Sequence, residues 1–235
     1  MSELKETVNS EIERIKQEDE VEAEAIVGSY ARNREGDHND IDIYVIVDTD
    51  WRKRVNKTVD GMLFEIFYNS KEWAKSYFDR EKDSYYMFHW MQNIDIRHDP
   101  DNIFEEIIDL SDKKAEDILD LSEKDREMIA YTIWDYSQDI DHEDIGQRRH
   151  TMNQFFDYLL EQNYLLKGRI PVKQNYRIEK LQEFDGYMYK LAQEYLTTSS
   201  TTEKKRKLEK MKEHVMKELP EQKIEFETEE EILTD

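Results

Sequence analysis

The sequence has no cysteine, only three prolines and only six glycines in 235 residues. Without cysteine there can be no disulfide framework and no thiolate metal site. Long apolar runs are missing too. None approaches the roughly 18 residues that a membrane-crossing helix needs. The opening residues Met1-Ser2-Glu3-Leu4-Lys5-Glu6 carry no apolar signal core. These absences predict a cytoplasmic protein with no membrane partner. Positive charge is scarce, with 34 Lys and Arg against 56 Asp and Glu and a formal net charge of −22. Such a field opposes nonspecific contact with nucleic acid and suits a small cationic ligand. Adaptation to high internal salt would produce the same composition.

What is present argues for a folded chain. Aromatic residues make up 11%, too many for a disordered segment, although charged residues reach 38%. Leu4, Val8, Ile12 and Ile15 recur at helical spacing and predict an amphipathic first helix. Val21 to Val27 reads as a short strand, followed at once by Gly28-Ser29 and a short helix over Tyr30 to Arg34. Asp40 to Val47 is the strongest strand signal. Asp60-Gly61 predicts a turn and Met62 to Tyr68 another strand. Lys71 to Arg80 reads as a helix and Asp95 to Arg97 as a last strand. From about Asp112 strand signals vanish. Helices are expected over Glu123 to Ile140, Gln147 to Leu166, Arg177 to Leu196 and Thr202 to Leu219, with a polar linker at Thr197 to Thr202. The basic stretch from Lys204 to Lys217 carries Leu208, Met211 and Val215 at helical spacing, so it reads as a solvated helix face. The organisation expected is α+β: residues 1–110 as a small sheet with flanking helices, 111–220 as an all-α bundle, and 221–235 as an acidic tail.

The informative feature is an ordered constellation in the first half. A strand leads into Gly28-Ser29 and a short helix, and the next strand opens with Asp40-Ile41-Asp42. Glycine permits close approach of backbone to a phosphate. A serine hydroxyl and the N–H groups of a helix start can hold phosphate oxygens. Residues two apart on a strand share a face, so Asp40 and Asp42 present both carboxylates together. Mg²⁺ favours such a pair supplemented by substrate phosphates. Glu65 stands alone in Met-Leu-Phe-Glu-Ile-Phe-Tyr, where an acid is costly to bury unless paired or metal-bound. If its strand lies beside that of Asp40, three carboxylates gather, enough for two ions in an in-line phosphoryl displacement.

Gly28-Ser29-Tyr30-Ala31-Arg32 followed by Asn39-Asp40-Ile41-Asp42-Ile43-Tyr44-Val45 resembles the signature of the DNA polymerase β-like nucleotidyltransferase superfamily. The resemblance spans about 45 residues. It implies that Gly28 and Ser29 bind triphosphate, that Arg32 touches phosphate, and that Asp40, Asp42 and Glu65 bind metal, with Glu65 as an alternative base. It implies Mg²⁺, two ions, and ATP or another nucleoside triphosphate as co-substrate. Many relatives carry glycine where this chain has Asn33. A helical half after the minimal domain resembles the kanamycin nucleotidyltransferase-like, antibiotic-modifying branch. In that branch a lysine following the link Tyr164 to Lys173 lies near the phosphates, which makes Lys173 the candidate here. The branch takes a general base from its helical domain, and Asp135 and Asp139, four apart on one helix, are the candidates.

The function expected is transfer of a nucleoside monophosphate, AMP from ATP, to a hydroxyl of a small acceptor, a cationic one suiting the field. The alternative is an antitoxin-type nucleotidyltransferase acting on or masking a protein partner, against which the helical half speaks. His89, His98, His142 and His150 lack zinc spacing, and Phe155, Phe156, Tyr158 and Tyr164 read as core.

Overall fold

Alternation of side chains decides what each strand buries. In the computed structural model, which describes residues 2–18, 20–36, 38–79 and 84–220, β2 (Asp40–Val47) buries Ile41, Ile43, Val45 and Val47 on one face. These pack with Val8, Ile12 and Ile15 of α1 (Ser2–Lys16), the apolar stripe expected of that helix. The opposite face of β2 carries Asp40, Asp42 and Tyr44. The acidic tail, residues 221–235, lies outside the described residues, as do Asp19, Asp37 and residues 80–83.

The sheet has five strands in the order β3-β4-β2-β1-β5. β1 (Val21–Val27) runs antiparallel to β2 on one side and to β5 (Asp95–His98) on the other. β4 (Met62–Asn69) runs parallel to β2, with Asp42 opposite Glu65. β3 (Arg52–Val59) forms an antiparallel hairpin with β4 through Asp60-Gly61, whose φ values of 51° and 82° suit the tight hairpin turn that needs two left-handed residues. Sequence patterning did not predict β3. Its Arg-Lys-Arg-Val-Asn-Lys-Thr-Val is exposed at alternate or successive positions, as an edge strand can be.

Three short elements follow β4. They are α3 (Lys71–Ser76), a single 3₁₀ turn (Tyr77–Asp79) and α4 (Ser84–Met91). Ser70 caps α3 by accepting from Trp73 N–H at 3.2 Å. Trp90 of α4 meets the rings of Tyr44 and Phe67, and Phe104 of α5 (Ile103–Leu119) meets Tyr44. The sheet is thus covered by α1 on one face and partly covered by α4 and α5 on the other. The end of that second face bearing Asp40 and Asp42 is half-buried.

The chain divides into two compact units, Met1–Glu116 and Asp117–Asp235. The described part of the second contains α6 (Glu123–Asp139), α7 (Ile145–Leu166), α8 (Gln174–Leu181), α9 (Gly186–Thr197) and α10 (Thr201–Met216). Phe155, Phe156, Leu159, Tyr164, Leu191, Tyr195, Leu208 and Met211 form its core. The single helix expected over Arg177 to Leu196 is two helices. Asp185 caps the second by accepting from Met188 N–H at 2.9 Å, and Gly186 opens it. Ser122 and Asp125 form a reciprocal capping box at the start of α6. Among the described residues no helix is long and apolar enough to cross a membrane.

Candidate functional site

Gly28 ends β1 and opens α2 (Gly28–Arg32) at φ +73°, a conformation that favours glycine. A Cβ built there would lie 2.1 Å from Asp42 Oδ2. The missing side chain makes room for the carboxylate of Asp42. Val27 is the register partner of Asp42, which brings the turn against the acid. Asn33 has φ −151°, extended backbone open to any residue.

On the far side of Asp42 lies Glu65, its partner in the parallel ladder, so the two point to one face. Asp40, two residues earlier, shares that face opposite Leu63. The Glu65 carboxylate accepts from Arg54 Nη2 at 2.6 Å. Arg54 also lies over the Phe67 ring, 4.9 Å from its centroid. The oxygen-rich donor set is of the kind Mg²⁺ takes. Among the described residues, however, no three carboxylate or imidazole groups are gathered as a ready metal cage. Arg54 engages Glu65, while Asp40 and Asp42 share the same sheet face and are the sequence-predicted ion ligands. Arg54 takes only Oε2, so Glu65 could join them through its other oxygen.

The sequence does not single out His38. Its Nδ1 lies 3.3 Å from Ser29 Oγ, its ring meets Tyr30 edge to face, and its Nε2 is buried with no partner. A loop histidine two residues before Asp40 gives no periodic signal, and only the folded loop reveals its place beside Ser29. Arg32 is exposed at the end of α2. Asp135 and Asp139 are both exposed on α6, away from its buried Ile129 and Ile133. Lys173 is exposed at the N-cap of α8. These three belong to the second unit.

Beyond Asp42 and Glu65 the same sheet face continues into a cavity of about 350 Å³ between β3, β4 and α4. Tyr44, two residues after Asp42, and Phe67, two after Glu65, both line it. Arg52 and Arg54 line it from β3.

No protein-family model matches the sequence, and neither does any curated protein. Among solved structures, the chain is similar to a nucleotidyltransferase-like protein from Exiguobacterium sibiricum 255-15. The likeness has a TM-score of 0.52 at 13% identity and covers 91% of this chain and 74% of that one. It does not select the antibiotic-modifying branch. The arrangement of sheet and helices is that of a nucleotidyltransferase-like fold.

Proposed function

We propose that this protein is a metal-dependent nucleotidyltransferase that moves a nucleoside monophosphate, AMP from ATP, onto a hydroxyl of a small acceptor. The observation that carries the reading is the packing of Gly28 on Asp42, with Glu65 in register beside it. That juxtaposition sets a glycine turn against two carboxylates on one sheet face. The fold supports the reading. In the reaction the acceptor oxygen bonds to the α-phosphorus, the bond from that phosphorus to the bridging oxygen breaks, and pyrophosphate leaves with the electron pair.

The Gly28-Ser29 turn would hold the triphosphate, with the Ser29 hydroxyl donating to a phosphate oxygen and His38 fixing that hydroxyl. Asp40 and Asp42 would hold Mg²⁺, which when bound neutralises charge developing on the phosphates. Glu65 sits on the side of Asp42 away from the turn and would take the acceptor's proton, with Arg54 steering its carboxylate. Asp135, Asp139 and Lys173 are not needed for this reading.

The test is a screen with labelled triphosphates and hydroxylated acceptors, run beside the Asp42→Asn variant. That variant keeps the side-chain size and removes the charge. It should lower transfer by about a thousandfold or more and leave the unfolding midpoint near wild type. Normal turnover by the variant overturns the assignment.

A further inference from the structure

We propose that the cavity beside Glu65 is the acceptor pocket, and that the acceptor it takes is a flat hydroxyl compound carrying an anionic group. This rests on the nucleotidyl-transfer reading for the acceptor's role, but the pocket's ligand chemistry stands on its own lining. The first argument is position. An in-line displacement needs the attacking oxygen opposite the leaving pyrophosphate. The Gly28 turn lies on the β1 side of Asp42, while Glu65 and the cavity lie on the β4 and β3 side. A triphosphate held at the turn leaves that second side for the attacking hydroxyl.

The second argument is charge. In a chain of net charge −22 this cavity has the opposite local sign: among the described residues arginines line it and no acidic residue does. Both guanidinium groups are held in place. Arg52 lies over the Trp73 ring at 4.6 Å and donates to the Tyr77 hydroxyl at 3.1 Å. Arg54 is fixed between Phe67 and Glu65. An arginine restrained in this way presents its planar fork to a phosphate or carboxylate with little further ordering. The bulk field suits a cation, but this lining does not.

The third argument is shape. The rings of Tyr44, Phe67 and Trp90 pack together in the wall and floor, and such rings favour a flat, partly apolar body. The Tyr44 hydroxyl is buried with no hydrogen-bond partner. Unsatisfied groups of that kind are rare in folded proteins. About 350 Å³ is at the small end of ligand pockets.

The experiment uses the full chain, without nucleotide, and measures binding of phenyl phosphate, benzoate and benzylamine by calorimetry. Phenyl phosphate or benzoate should bind and benzylamine should not; the stronger of the two anions identifies phosphate or carboxylate as the group recognised. Arg52→Gln should weaken the anion by about tenfold or more, the loss of one charge-assisted contact. Arg52→Lys should weaken it less. Lys5→Gln, an equal change of charge on α1, should have no effect. Equal binding by wild type and Arg52→Gln, or a preference for benzylamine, overturns the pocket's chemistry. ATP with Mg²⁺ should not displace the probe; competitive displacement would make the cavity part of the nucleotide site and overturn its role as acceptor pocket. Asp42→Asn should retain probe binding while losing transfer. If no triphosphate is ever used but the probe results hold, the transfer reading fails and only the anion site survives. If transfer occurs and Arg52→Gln leaves the acceptor KM unchanged, the acceptor pocket fails and the transfer reading survives.

Discussion

Glu24 offers a direct measurement of what one misplaced charge does to this fold. It sits in the middle of β1, fully buried, and neither carboxylate oxygen has a hydrogen-bond partner. Burial is the main force on it, pushing its carboxyl from the ordinary 4.5 up to about 7; Glu13 and Glu18 push the same way, against Lys16 and Arg97. A carboxyl whose folded value is raised binds its proton more tightly in the folded state. Its contribution is therefore intact below the unfolded value, near pH 4.5, and is lost as pH rises toward and past 7. Each unit of displacement corresponds to about 1.4 kcal/mol, so the folded state forfeits roughly 3 kcal/mol by the time the group is ionised. Glu24→Gln keeps the shape and cannot ionise. Urea denaturation from pH 5 to pH 9 should show the variant near wild type at pH 5 and more stable by roughly 3 kcal/mol at pH 9. The advantage should grow mainly between those limits. A pH-independent difference, or a wild type that gains on the variant as pH rises, refutes the argument.

Gly28→Ala should weaken triphosphate binding by about tenfold or more, because the new Cβ meets Asp42 and the backbone is left-handed. Ser29→Ala, which loses one hydroxyl, should do less. Titration calorimetry compares them, and equal small effects count against the turn. Asp185→Ala should destabilise the second unit by about 1–2 kcal/mol at pH 7, because Met188 N–H loses its cap and His214 its partner at 2.8 Å. Burial opposes the Asp185 charge, but the bonds from Met188 and His214 hold its carboxyl below the ordinary value. The stabilisation it provides is thus present above the ordinary aspartate range and fades as pH falls into the folded one. Chemical unfolding at pH 7 and pH 3 should show the gap between wild type and variant closing in acid.

Local periodicity carried the first helix, β1, β2 and β4, since each buries one face and alternates accordingly. It failed at β3, whose Arg52, Lys53 and Arg54 are all exposed and so leave no apolar alternation to read. It also failed at α4, where Tyr85 to Met91 is apolar almost throughout and has no polar face to set a period. The break between α8 and α9 was written in Asp185-Gly186, a cap and a glycine, but the apolar spacing on either side concealed it. In the site, the shared face of Asp40 and Asp42 follows from strand geometry alone. The pairing of Asp42 with Glu65 does not, because strand order is a non-local property: β4 inserts between β2 and the later-paired β3. The arginine that claims Glu65 came from the strand that patterning missed.

The basic character of β3 has a consequence for solubility. An edge strand offers a row of unused N–H and C=O groups to any other extended chain. Among the described residues β3 pairs only with β4, so it is such an edge. Arg52, Lys53, Arg54 and Lys57 stud it, and two copies meeting edge to edge would set these like charges against each other. Replacing them with valine or threonine would empty the cavity of its charge and would also make the strand a template for fibril growth.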